Sequence, residues 1–143
     1  MQLSKRLKGC IVFTSSPAAV MPGPFSVLYA STKSFLSMFG ASIAAEVKSH
    51  GIDVMVFHPS PIASQFYENQ KKIDALEFFK KFAANPDTLP DKVFSCIGRT
   101  VWADFGITAM GFRMLTKIID FNAFATLLAN VAHLMPDYKR HND

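Results

Sequence analysis

Cys10-Ile11-Val12-Phe13-Thr14 and Ile52-Asp53-Val54-Met55-Val56-Phe57 are two short runs rich in β-branched and aromatic residues. The first follows Gly9 and stops at Ser15-Ser16-Pro17, and the second is entered through Gly51 and stopped by Pro59 and Pro61. Apolar runs of this length between turn residues read as strands buried on both faces, as in a parallel sheet. Between them Pro22, Gly23 and Pro24 mark a loop, and from about Ser26 to Ser49 the residues Phe35, Leu36, Phe39, Ile43 and Val47 recur at helical spacing. Gly51 stands where a C-terminal helix cap belongs. Strand, helix and strand make a βαβ unit with a right-handed crossover, and so an α/β architecture.

Beyond Pro61 the pattern turns helical. Gln65 to Ala84 reads as an amphipathic helix, with Phe66, Ile73, Leu76, Phe79 and Phe82 set against Glu68, Lys72, Glu77 and Lys80, and Asn85-Pro86 stops it. Pro90 suits the first turn of a further helix carrying Val93, Ile97 and Val101 on one face. A last helical stretch, from about Met110 to Leu134, ends before Pro136. The chain therefore divides into a βαβ segment over 9–64 and a helical segment over 65–143 of one domain, without internal repeats.

With 143 residues, half of them hydrophobic and 14 of them Phe, one compact domain with a real core is expected. The net charge of +4 comes from 15 basic and 11 acidic residues scattered along the chain. No basic stripe interleaved with aromatics accompanies it, so nucleic-acid binding is set aside. Cys10 and Cys96 lack CxxC or Cys/His ligand spacing, which points away from zinc and from a disulfide framework and towards a reducing, intracellular setting. The basic residues Lys5, Arg6 and Lys8 precede no apolar segment of secretory type. The apolar region from Phe105 to Met135 is broken by Arg113, Lys117, Asp120 and His133, so a spanning helix is not expected, while seating on a membrane surface stays open.

In open parallel sheets ligands collect outside the carboxyl ends of the strands, here Ser15-Ser16 and His58 to Ser64. The intervening helix begins at the same edge, near Tyr29-Ala30-Ser31-Thr32-Lys33, and residues four apart share a helix face. Tyr29 and Lys33 thus project together. A positive charge beside a phenol favours phenolate and equips the tyrosine to act as acid or base. A hydroxyl from the strand end, Ser16, can hold the reacting oxygen.

Tyr29-Ala30-Ser31-Thr32-Lys33 is similar to the YxxxK signature of short-chain dehydrogenases, and Thr14-Ser15-Ser16 resembles the serine-bearing strand end that precedes it in that family. The distance from Ser16 to Tyr29 matches the family spacing and favours Ser16 over Ser15, whose hydroxyl is expected to bond locally. The resemblance implies a Rossmann-like doubly wound sheet, of which this chain would be the C-terminal half. It implies a tyrosine proton donor or acceptor in Tyr29, a lysine in Lys33 that binds the nicotinamide ribose, and a carbonyl-polarising serine in Ser16. Pro59-Ser60-Pro61-Ile62-Ala63-Ser64 looks like the family's PGxxxT segment, implying cofactor contacts at Pro59, Ile62 and Ser64 beside Tyr29 and Lys33. Ser60 replaces the glycine, which puts a side chain where glycine permits close backbone approach, and Ser64 replaces the threonine, which keeps the hydroxyl. The cofactor implied is NADP or NAD, with NADP ranked first, and the phrasing around Tyr29 is similar to the hydroxysteroid dehydrogenase and ketoacyl reductase branch.

The family's glycine-rich phosphate turn, its NAG segment and its catalytic asparagine would precede Gly9 and do not occur in these 143 residues. The chain is therefore expected to be a fragment or truncated product that binds cofactor weakly alone, with the Cys10 to Thr14 strand left unpaired at one edge and apolar there. His50, His58, His133 and His141 lack HxxxH or triad context and are expected to be structural or superficial. The Phe-rich stretches from Phe66 to Phe82 and from Phe105 to Phe124 are expected to cover the sheet and shape a pocket for an apolar acyl, steroid or retinoid carbonyl, with membrane seating as their alternative role. The expected setting is the cytoplasm or the endoplasmic reticulum membrane surface, and homo-oligomerisation stays open. The rival reading is a non-catalytic interaction module derived from a truncated dehydrogenase.

Overall fold

The computed structural model describes residues 9–62 and 74–138, with the side chains of 74–76 excepted. Three parallel strands, β1 (Gly9–Thr14), β2 (Ile52–Pro59) and β3 (Trp102–Phe105), lie in the order β1-β2-β3. The register runs from Gly9↔Ile52 to Thr14↔Phe57 on one side of β2 and from Val56↔Trp102 to Pro59↔Phe105 on the other. All three strands therefore end at the same edge of the sheet. Alternate residues of β2 face opposite sides. Val56 meets helix α1 (Val27–Val47), while Met55 and Phe57 join Val93 of α3 (Leu89–Cys96) and Ala103 of β3 in a buried cluster. Helices thus cover both faces, as a doubly wound sheet requires.

The spacing of large apolar residues marks α1 as a helix but does not mark its buried face. Ala30, Ser37, Gly40 and Ala44 are buried, whereas Phe35 is 68% and Phe39 44% exposed. Small residues let the helix axis approach the sheet: a Cβ at Gly40 would overlap Val56 and come within 2.8 Å of Phe13. The larger side chains turn outward, where Phe35 and Phe39 stack and Phe39 meets Phe13 edge-on. The expected glycine cap holds, since Gly51 adopts φ 79° and donates its N–H to the Lys48 carbonyl after a short 3-10 turn. Burial of β1 on both faces does not hold. Ile11 and Val12 remain 38% and 36% exposed, because β1 has a neighbour on one side among the described residues. That is the unpaired edge expected above.

The second half departs from an all-helical reading. α3 starts with Pro90 in its first turn but ends at Cys96, so Ile97 and Val101 are not helical. Gly98 turns the chain at φ 75° beside Asp53, and Trp102–Phe105 then adds β3. Of the expected helix over Gln65 to Ala84, the described part is α2 (Asp74–Lys80), and its earlier residues lie outside the described residues. Ala84 is already extended and pairs with Ile62. The last stretch is two helices, α4 (Ile107–Ile118) and α5 (Phe121–Val131), with 108° between the axes of α4 and the α5 segment. Asp120 causes the break by accepting the Ala123 N–H at 3.0 Å, an N-cap that starts a new helix. No single helix among the described residues is long and apolar enough to cross a membrane.

Ser60 ties β2 to α4. Its N–H donates to the Phe105 carbonyl at 2.7 Å, and its buried hydroxyl accepts the Ala109 N–H at 3.1 Å, capping α4 from a distant loop. The room comes from Gly106, whose Cβ would lie 2.5 Å from Ser60 Oγ and whose φ is 92°. Glycine is absent after Pro59 and present across from it. Gly106→Ala combines that overlap with a left-handed backbone and should destabilise the fold by about 1–3 kcal/mol. Ser60→Ala removes one cap and should cost about 1 kcal/mol. Urea unfolding at constant m reads both, and an unchanged midpoint for Gly106→Ala would contradict the close approach. Gly40→Val should cost a similar ~1–3 kcal/mol by overpacking against β1 and β2, and a wild-type midpoint would mean that α1 rides higher on the sheet than described.

Candidate functional site

At the carboxyl edge of the sheet, the last residues of β1, the first turn of α1 and the last residues of β2 converge. Lys33 donates from Nζ to the Thr14 carbonyl at 2.9 Å, and the same ammonium lies 5.7 Å from the centre of the Tyr29 ring. One cation thus joins the end of β1 to the phenol one helical turn upstream, as the i,i+4 spacing predicts. Tyr29 is 40% exposed. Ser16 follows Thr14 by two residues and caps the 3-10 turn Pro17–Val20, accepting the Ala18 N–H on Oγ at 3.2 Å. That bond uses a lone pair and leaves the hydroxyl proton for another acceptor.

Ser15 is not a locally bonded hydroxyl. It is buried, it lies 2.6 Å from Ser37 Oγ, and it reaches the Lys33 carbonyl at 3.0 Å. Its own N–H donates to the Phe57 carbonyl at 2.8 Å, holding the end of β1 to β2. Pro59 closes β2, and Ile62, half-buried, has its backbone bridged to Ala84. Ser64 lies outside the described residues. The structure therefore gathers Ser16, Tyr29 and Lys33 with the end of β2 at one edge.

His58, immediately before Pro59, is fully buried. Its Nε2 is 3.0 Å from Ser37 Oγ, while Nδ1 faces two acceptors, the Ala103 carbonyl at 3.3 Å and Asp104 Oδ1 at 3.4 Å. The ring stacks on Trp102 at 4.3 Å, and the Arg113 guanidinium lies 4.5 Å from the same indole and 3.8 Å from Asp104. Burial pushes the His58 pKa below its usual 6.5, against the raising effect of Asp104 and the Ala103 carbonyl and with a further lowering from Arg113. The expected structural role of this histidine agrees with its burial, but Ser37, Trp102, Asp104 and Arg113 escaped sequence reading. Ser37 could have been found as a polar residue on the helix face of Ala30, Gly40 and Ala44. Trp102 and Asp104 lay in a run mistaken for helix.

Over residues 1–74 the chain matches the short chain dehydrogenase family. It is 34% identical over 77 residues to estradiol 17-beta-dehydrogenase 2 of Rattus norvegicus, covering 54% of this chain and 20% of that protein. It is 35% identical over 74 residues to a very-long-chain 3-oxoacyl-CoA reductase of Schizosaccharomyces pombe, covering 51% of this chain and 22% of that one. Its fold aligns, with TM-score 0.63 and 17% identity, to a short chain dehydrogenase of Burkholderia cenocepacia solved in complex with NADP, over 87% of this chain and 47% of that one. The chain thus spans about a fifth of these curated relatives and about half of the solved structure. A family match over more than half its length, on a doubly wound parallel sheet, makes this chain a member of the short-chain dehydrogenase/reductase family.

Proposed function

We propose that this chain carries the proton-transfer half of a nicotinamide-dependent oxidoreductase that interconverts a carbonyl and an alcohol on an apolar substrate. The observation that carries the reading is the Lys33 ammonium, bonded to the Thr14 carbonyl and adjacent to the Tyr29 ring at the sheet edge. In the reductive direction the Tyr29 hydroxyl gives its proton to the substrate oxygen, and the Ser16 hydroxyl donates a hydrogen bond to that same oxygen as negative charge develops there. In oxidation both steps run backwards, with Tyr29 as base. The Lys33 ammonium has donors left after Thr14 for vicinal hydroxyls. That donor set fits a ribose, so Tyr29 and Lys33 would hold the cofactor's nicotinamide riboside, with Pro59, Ile62 and Ser64 beside the ring. When bound, the cofactor supplies or accepts the hydride. NADP is ranked ahead of NAD, and the substrate class, acyl, steroid or retinoid, rests on the Phe- and Met-rich segment after β2.

The test uses the complete polypeptide that contains this sequence, followed by nicotinamide absorbance over acyl, steroid and retinoid carbonyls with NADPH and NADH. Tyr29→Phe should lower kcat by about 10²–10⁴-fold, and Ser16→Ala by about 10²-fold or more. Lys33→Met should raise the KM for cofactor as well as lower kcat. An active enzyme indifferent to Tyr29→Phe would refute these assignments. Inertness towards every carbonyl, in a protein that folds, would favour the interaction-module reading, for which the exposed edge of β1 is the available surface.

A further inference from the structure

We infer that His58 is a positioning residue, whose ring fastens Ser37 of α1 to Ala103 of β3 and so holds the backbone at Ser16, Lys33 and Pro59 in one register. The inference rests on the dehydrogenase reading above. The relay runs through buried groups that each sit beside a proposed site residue. Ser15 precedes Ser16. Ser37 lies one turn beyond Lys33, and the hydroxyls of both Ser15 and Ser37 reach the Lys33 carbonyl, at 3.0 and 2.8 Å. His58 precedes Pro59.

The proton positions follow from the partners. A carbonyl and a carboxylate at Nδ1 require that nitrogen to carry the hydrogen, so in the neutral ring Nε2 has a lone pair and accepts from Ser37. Ser37 Oγ then accepts from Ser15 across 2.6 Å, so both hydroxyl protons run along the relay and the Lys33 carbonyl is a close neighbour of the two oxygens rather than their acceptor. The charged groups facing the ring are Asp104 from β3 and Arg113 from α4, while α1 presents Ser37 and the Lys33 carbonyl. Protonation at Nε2 would turn that nitrogen into a donor, force Ser37 to accept, and reverse the relay.

Three measurements on the complete polypeptide test this. First, kcat and KM are compared for wild type, His58→Phe, His58→Gln and Ser37→Ala. His58→Phe keeps a ring against Trp102, and Ser37→Ala leaves the imidazole in place, so a folding failure of the first does not remove the second. Misplacing reacting groups by a fraction of an ångström should lower kcat about 10-fold or more in His58→Phe and Ser37→Ala, with substrate KM within about twofold. His58→Gln, whose amide oxygen can replace Nε2 towards Ser37, should recover part of the loss. Second, imidazole 15N shifts should show His58 as the Nδ1–H tautomer at neutral pH. Third, because the folded pKa lies below the unfolded value, the unfolded chain binds the proton first as pH falls. Stability from neutral His58 is then complete above pH 6.5 and lost as pH drops through the folded value, a trend that His58→Phe should flatten.

An active wild type with unchanged kcat in both His58→Phe and Ser37→Ala would overturn the positioning role alone. An Nε2–H tautomer would overturn the relay itself. An inert wild type overturns the dehydrogenase reading and the positioning role with it.

Discussion

The architecture depends on how closely α1 can lie on β1 and β2. Gly40 sets that distance, because no side chain larger than hydrogen fits between the helix and the Phe13–Val56 pair. A helix seated this low brings its first turn level with the carboxyl ends of the strands. Lys33 can then reach Thr14 without spanning a gap, and Ser37 can meet His58. A helix raised by one methyl group would lengthen every one of those contacts, in a region where a few tenths of an ångström separates a hydrogen bond from none. Packing of small residues and placement of polar groups are one constraint here.

The same closeness explains why polar side chains occupy the interior beneath the site. Ser15, Ser37 and His58 are buried together, and burying them unpaired would cost about 1–3 kcal/mol for each group left unsatisfied. Each has a partner within 3.0 Å, so the net contribution to stability is small while the penalty for disorder is large. Such a network specifies one arrangement more than it strengthens it. The carbonyl–carboxylate pair at Nδ1 adds direction, because it fixes which ring nitrogen faces Ser37.

The βαβ unit was legible because its signals are local: two apolar runs with stop residues, a glycine cap, and a tyrosine and lysine one turn apart. Tyr29 and Lys33 were paired from helical spacing, while Ser16 was preferred to Ser15 on resemblance to the family. What the sequence hid was set by tertiary context. Phe35 and Phe39 recur at helical period yet lie outside, because period finds a helix and not the face on which a sheet rests. Val101 read as the tail of a helix until Gly98 is given a left-handed φ, and Ser60 read as a lost glycine until Gly106 is placed against it. The short contact pairs that matter most, Ser37 with His58 and Ser60 with Ala109, are 21 and 49 residues apart.

Exposed apolar surface carries the last step. Ile11 and Val12 of β1 and Leu28, Phe35, Met38 and Phe39 of α1 are among the exposed large apolar side chains. The open edge of β1 is where a further parallel strand would pair, and solved relatives of this fold are about twice as long as the matched region. An open strand edge beside exposed aromatics is costly in water and invites pairing with another chain.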